Sequence, residues 1–423
     1  MSETGVTPQS RRPGGRAPAA ACALVAALLA QPAAGQTGPP LSPFGLRLTS
    51  NVTRDANVFR VSESAPDPQA ALGTSGKSDY FTTTTVGLLF DKVYSQQHFV
   101  ANVNQSAIRY HKFSSLDRDA FDYHAAWLWQ LTPRISGTLS TDQQQSAVLF
   151  EDFTVGRRLV KTVTNNQRFT IDGLLFGGWH LLGGASQVDL KNGQVFLAVP
   201  GTKQTNDELG LRYIASSGSS ITATRRFSRG IYPGQQGDLN NLLDTGFKVR
   251  ETELTATWIT SMKSTLSGRL TQTERSYDHF AQLDFSGVGG ELRYGWTPTA
   301  RLALNVSALR TLLPYFQIPT STTAGSTHRI DNTLAFAPVW QVSEKVSLNM
   351  NAARLVTDYP AFGTLFAGPS RRDTTRRLSF GAGWAVHPKV NLSATLAREE
   401  RSSNVPGLDY EDTILSVTAR LTY

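Results

Sequence analysis

Tyr410-Glu-Asp-Thr-Ile-Leu-Ser-Val-Thr-Ala-Arg-Leu-Thr-Tyr423 alternates from Leu415 onward without a break. Successive side chains of an extended chain point to opposite faces. Leu415, Val417, Ala419, Leu421 and Tyr423 therefore share one face, and Ser416, Thr418, Arg420 and Thr422 share the other. One face is apolar and the other is wet. Such a strand leaves an unpaired edge, and pairing it with the first strand of the same chain removes that edge by closing a barrel. An amphipathic strand at the end of a soluble β-domain reads the same way, so the rest of the sequence has to decide.

Composition favours the barrel. Charged residues make up 17% of the 423-residue chain and the formal net charge is +8. Few charges with abundant small polar residues suit strands that have one apolar and one polar face. Helical membrane spans need roughly 20 consecutive apolar residues, and no stretch beyond the N-terminal region comes near that. That region reads as a cleaved signal peptide over residues 1–35. Arg11, Arg12 and Arg16 form a basic head, Ala17 to Ala30 an apolar core, and Pro32-Ala-Ala-Gly35 a cleavage site. Its removal takes three Arg and one Glu, leaving a basic mature chain, and takes Cys22, the one cysteine, with it. No disulfide or thiolate metal site is then expected. Residues 36–44 read as a short periplasmic lead, and residues 45–423 as the barrel.

Gly45-Leu-Arg-Leu-Thr-Ser-Asn-Val-Thr-Arg54 alternates as a first strand and leads into Asp55-Ala-Asn-Val-Phe-Arg60. From residue 79 onward, alternating segments are joined in pairs by short turns at residues 94–98, 131–134, 176–179, 216–220, 259–263, 296–301, 340–345 and 386–389. These turns recur about every 40 residues. Longer connections, among them Leu312 to Thr327 and Tyr359 to Arg372, separate the pairs. The pattern predicts an all-β, transmembrane antiparallel β-barrel of about 18 strands, with 16 as the alternative count. Both termini and the short turns then lie on the periplasmic side. All seven tryptophans (Trp127, Trp129, Trp179, Trp258, Trp296, Trp340 and Trp384) fall close to short turns, as an interfacial girdle requires.

Alternation also assigns faces. Asp122, Arg168, Asp172, Glu208, Arg212, Arg226, Glu253, Arg269, Glu291, Arg293 and Arg420 fall on the face opposite the apolar residues and are expected to line the pore. A basic side chain facing mid-membrane hydrocarbon would cost roughly 2–4 kcal/mol. These charges can serve as an aqueous, solute-steering lining or as a lattice of cross-strand pairs that stiffens the wall. Tyr315, Phe316, Tyr359 and Phe362 in the long connections are candidates for contacting a passing sugar polymer, or else for packing the rim.

No catalytic constellation emerges. The seven histidines are scattered, with no pair at metal-ligand spacing, and no nucleophile elbow or dinucleotide loop is present. The expectation is a chain that is not an enzyme, without cofactor or metal and without nucleic-acid partners.

The aromatic ending at Tyr423 resembles the closing strand of bacterial outer-membrane barrels, which implies that Tyr423 is part of the signal read by the β-barrel assembly machinery. Thr53-Arg-Asp-Ala-Asn-Val-Phe-Arg60, Phe176-Gly-Gly-Trp-His-Leu-Leu-Gly-Gly184 and that ending together resemble the EpsL-type outer-membrane barrels of bacterial exopolysaccharide operons, related to β-barrel porins. The resemblance implies a bacterial outer-membrane location and a passage for exopolysaccharide secretion, with periplasmic export components as partners. Two alternatives stand beside it: a general or solute-selective uptake porin, and a plugged docking barrel of a secretion complex.

Overall fold

The computed structural model describes residues 42–62, 76–147, 161–192, 200–238, 244–317, 324–361 and 369–423. The expected signal peptide and all but the end of the expected lead lie outside these residues. Among the described residues the strands follow one another as β1 (Phe44–Asp55), β2 (Asp79–Tyr94), β3 (Gln97–Tyr110), β4 (Arg118–Thr132), β5 (Ile135–Ala147), β6 (Lys161–Phe176) and β7 (Trp179–Asn192). They continue as β8 (Thr202–Ile214), β9 (Ser220–Ile231), β10 (Gly246–Ser261), β11 (Ser264–Tyr277), β12 (Phe285–Thr299) and β13 (Leu302–Gln317). The last six are β14 (Ser326–Phe336), β15 (Val339–Gln341), β16 (Val346–Tyr359), β17 (Arg371–His387), β18 (Val390–Ser403) and β19 (Tyr410–Thr422).

The paired strands run antiparallel, and β1 pairs with β19 from Arg47↔Thr422 to Asp55↔Ile414, closing the barrel. β14 and β15 each pair with both β13 and β16, so they are two pieces of one stave and the wall has 18. Pro338 lies in the break between them, where its missing N–H would otherwise interrupt the ladder. The eight short turns fall where alternation places them. At Phe176-Gly-Gly-Trp179 both glycines have positive φ (53° and 85°), the geometry of a two-residue hairpin turn.

The outward face is apolar. Leu254, Leu270, Leu292, Val306 and Leu415 are exposed, as are Trp127, Trp179, Trp258, Trp296, Trp340 and Trp384 near the short turns. Trp129 instead lies buried against Phe169, the ring centroids 6.0 Å apart. An apolar outer wall with backbone groups paired around a closed circle satisfies the hydrocarbon layer on both counts.

At the long-loop end three connections share one device. Leu116, Leu283 and Leu408 are buried, and the aspartate after each accepts a backbone N–H from the preceding strand. Asp117 takes that of Tyr110 at 2.7 Å, Asp284 that of Tyr277 at 2.8 Å, and Asp409 that of Ser403 at 2.7 Å. The first strand is shorter than the alternation suggests. β1 stops at Asp55, and the following residues double back so that Phe59 and Val61 pack on Phe113 and Leu116. Asn57 fixes this fold, its amide donating to Val61 O at 2.8 Å and Glu411 O at 3.0 Å.

Candidate functional site

The inward face carries the polar chemistry, and its charges are organised by wall. From β6 to β12 arginines and carboxylates alternate around the circumference. Arg168 reaches Glu208 at 2.5 Å, Glu208 also holds Arg226 at 3.2 Å, and Arg226 pairs onward with Glu251. Further round, Arg269 lies 3.7 Å from both Glu253 and Glu291, and Glu291 also pairs with Arg293. Nearer the short turns Asp172 pairs with Arg212 and with His180 Nδ1, the latter at 2.7 Å.

Arg168 and Glu208 stand on β6 and β8, with β7 between them. The bond passes over Gly184, where a Cβ would meet Glu208 Oε1 at 2.6 Å. Glycine at this register opens the space for the span.

The closing seam differs. Arg47 on β1 and Arg420 on β19 face the same lumen, and among the described residues neither is within ion-pair distance of a carboxylate. Arg47 donates to Asn104 Oδ1 at 3.2 Å, and Arg420 Nε is buried without a hydrogen-bond partner in the protein. Around them the wall is neutral and polar: Asn51 donates to Thr418 at 2.7 Å, and the Thr53 and Ser416 hydroxyls lie 2.9 Å apart. The lumen thus pairs a charge-compensated wall with a seam that carries two uncompensated cations.

The expected lining residues lie on this inward face. Ten of them, all but Arg420, make polar contacts there; Asp122 accepts the Gln145 backbone N–H at 2.7 Å. Alternation places further charges on this face: Arg47 lies between the outward Leu46 and Leu48, and Glu251 shares the parity of Glu253. The histidines are less isolated than their spacing suggests. His180 meets Asp172, His98 meets Asp91 at 2.7 Å and His279 meets Asp244 at 2.8 Å, contacts between residues of different segments.

The expected loop contacts sit elsewhere. Tyr315 and Phe316 belong to β13 and Tyr359 ends β16, so the strands extend into what reads as a connection. All three are buried. Tyr315 packs edge-on against Tyr359 at 5.1 Å, and Phe316 joins Tyr232, Phe247, Tyr277 and Leu283 in one cluster. Edge-on ring pairs hold these side chains away from water. Phe362 lies outside the described residues. The mouth clusters enclose cations too: Arg275 lies 3.5 Å from the centre of the Phe247 ring and donates to Tyr232 Oη at 2.8 Å. Among the described residues no group of three or more His, Cys, Asp or Glu side chains could hold a metal ion.

Closed strand order, an apolar outer wall and a charged lumen define a transmembrane barrel of porin type in the bacterial outer membrane. Residues 272–423 match the family described as "Putative beta-barrel porin 2". Solved structures share the fold. Pseudomonas aeruginosa OccK1 (OpdK) superposes with a TM-score of 0.51 at 9% identity, covering 90% of this chain and 99% of that one. Pseudomonas aeruginosa OccK3 (OpdO) gives 0.50 at 14%, covering 90% and 96%. A structure of Pseudomonas aeruginosa OpdK with vanillate gives 0.50 at 9%, covering 90% and 99%. No curated protein matches the sequence.

Proposed function

We propose that the barrel is a solute-selective uptake passage for small anionic solutes and works without catalysis. The observation that carries this reading is the pair Arg47 and Arg420, two lumen cations without a carboxylate partner among the described residues, opposite a wall whose charges neutralise one another. An arginine already engaged by glutamate has little left for a solute, whereas a free guanidinium offers its donor fork to a passing carboxylate or phosphate. That vanillate, an aromatic carboxylate, accompanies OpdK in one structure of the same fold agrees with this choice.

Exopolysaccharide secretion, which the EpsL-type resemblance implies, calls for exposed aromatic faces at the outer mouth. Tyr315, Phe316 and Tyr359 spend theirs on packing. The uptake reading therefore has the stronger support in the lumen.

The test is electrical. Purified protein in a planar bilayer under a potassium chloride gradient is expected to show a reversal potential of anion-preferring sign, and Arg47→Gln with Arg420→Gln is expected to move it toward zero. Liposomes carrying the barrel should admit a small carboxylate faster than a neutral sugar of similar size. A barrel silent at all voltages would favour a plugged docking role. Lowered extracellular polysaccharide in a deletion strain, with unchanged carboxylate uptake, would restore the secretion reading.

A further inference from the structure

The lipid-facing wall changes character at one height. On β17 the outward series runs Trp384, Ala382, Phe380, Leu378 and then Arg376; on β16 it runs Leu348, Met350, Ala352 and then Arg354. From Trp384 to Arg376 is about 26 Å along the strand, or roughly 20 Å along the membrane normal at a barrel strand's usual tilt. The tryptophan marks the interface at the short-turn end, so the arginines stand at the opposite edge of the apolar band.

Arg354 and Arg376 are directly opposed across the β16–β17 ladder, both exposed, and among the described residues neither has a hydrogen-bond or ion-pair partner. Glu400, the other cross-strand neighbour of Arg376, makes no ion pair with it. Like charges in directly opposed positions destabilise a strand pair, so two bare guanidinium groups side by side call for an anion between them. On β9 and β10 Arg229 and Lys248 are also directly opposed and outward above Leu254, but there Lys248 already has Asp278 at 3.3 Å. These positions face away from the lumen, so no solute in the passage can reach them.

We propose that Arg354 and Arg376 form a binding site for a phosphate group of the phosphorylated glycolipid in the outer leaflet. The level is that of the headgroups, the acyl chains of the same molecule would lie on Leu378 and Phe380 just below, and paired guanidinium forks match phosphate oxygens. The shared chemistry is a phosphate monoester, and the leaflet glycolipid is the source that also supplies chains for the apolar wall.

The test uses the full barrel purified in detergent and titrated separately with bis-phosphorylated lipid A, with the same glycolipid after phosphatase treatment, and with inorganic phosphate. Wild-type protein is expected to bind the phosphorylated glycolipid about tenfold more tightly than the dephosphorylated one. Arg354→Gln with Arg376→Gln should lose about that factor, the worth of one charge-assisted hydrogen bond. Arg134→Gln, at a short turn on the other end, should bind as wild type. Equal wild-type affinity for both glycolipids would overturn the proposal, as would inorganic phosphate binding as tightly as lipid A. Should the double variant fail to assemble, the wild-type comparison of the two glycolipids decides alone.

Discussion

Tyr423 and Leu46 exchange two backbone hydrogen bonds, Tyr423 N to Leu46 O at 2.8 Å and Leu46 N to Tyr423 O at 2.7 Å. The last pair of the closing seam is thus made by the aromatic residue that follows β19. Lys389 Nζ sits 3.8 Å from the centre of its ring. Deleting Tyr423, or replacing it with Asp, removes the ring, and deletion also removes both bonds. The expected result is loss of the folded, heat-modifiable form on gels and accumulation of unfolded chain in the periplasm. Folded barrel at wild-type abundance would show that the seam closes without this residue.

The compensated wall gives a second prediction. Arg212 neutralises Asp172, and Arg293 neutralises Glu291. Replacing both arginines with Gln removes two lumen cations and leaves Asp172 with His180 and Glu291 with Arg269 alone, so the reversal potential should shift toward cations. Leu211→Ile with Tyr294→Phe changes only the lipid face and should leave it unmoved. Equal shifts from both pairs would mean that the inward assignment is wrong.

Gly184 is the third point of attack. Val at this position puts its Cβ where Glu208 Oε1 lies 2.6 Å away, so the carboxylate must swing out and release Arg168. The clash should cost about 1–3 kcal/mol in denaturant midpoint, and the freed arginine should raise anion preference. Unchanged selectivity would separate the Arg168–Glu208 bond from conduction.

Asp244 supplies a pH dependence outside the membrane span. It is fully buried, which by itself raises its pKa, but it accepts from the His279 ring and from the backbone N–H groups of His279 at 2.8 Å and Phe280 at 2.9 Å. These bonds prevail and hold it lowered to about 2. A depressed carboxylate contributes stability that is fully present above its unfolded value and lost as pH falls through the folded one. Wild-type stability should therefore fall between about pH 4 and pH 2, and Asp244→Asn should flatten that fall in urea titrations. A persisting fall in the variant would assign it to other carboxylates.

Phe316→Ala tests the mouth packing. Removing a ring that touches Tyr232, Phe247, Tyr277 and Leu283 should cost about 3–5 kcal/mol. A change near zero in unfolding midpoint, with altered polysaccharide release, would return this aromatic to a role in contacting a polymer.

Much of the wall was legible because a strand's side-chain period is local. Leu415 to Tyr423 and Gly45 to Arg54 each announce an inner and an outer face without knowledge of any neighbour. The strand count followed from turn residues in the same way, and the stave broken at Pro338 left it unchanged. The inward position of Arg212 or Glu208 needed only parity.

Partners needed more. Whether an inward arginine is neutralised depends on register between strands far apart in sequence: Arg168 meets Glu208 because the strand between them presents Gly184 at that level, while Arg420, with identical parity logic, meets no carboxylate among the described residues. The fate of Phe59, Tyr315 and Phe316 was equally hidden, since their periodicity ends where the long connections begin. Whether a ring there faces water or a cluster is settled by which other loops fold over the same mouth. Alternation along one chain determined the faces; hydrogen-bond register and packing between distant segments decided which charges remain free, and these are long-range conditions that no local period encodes.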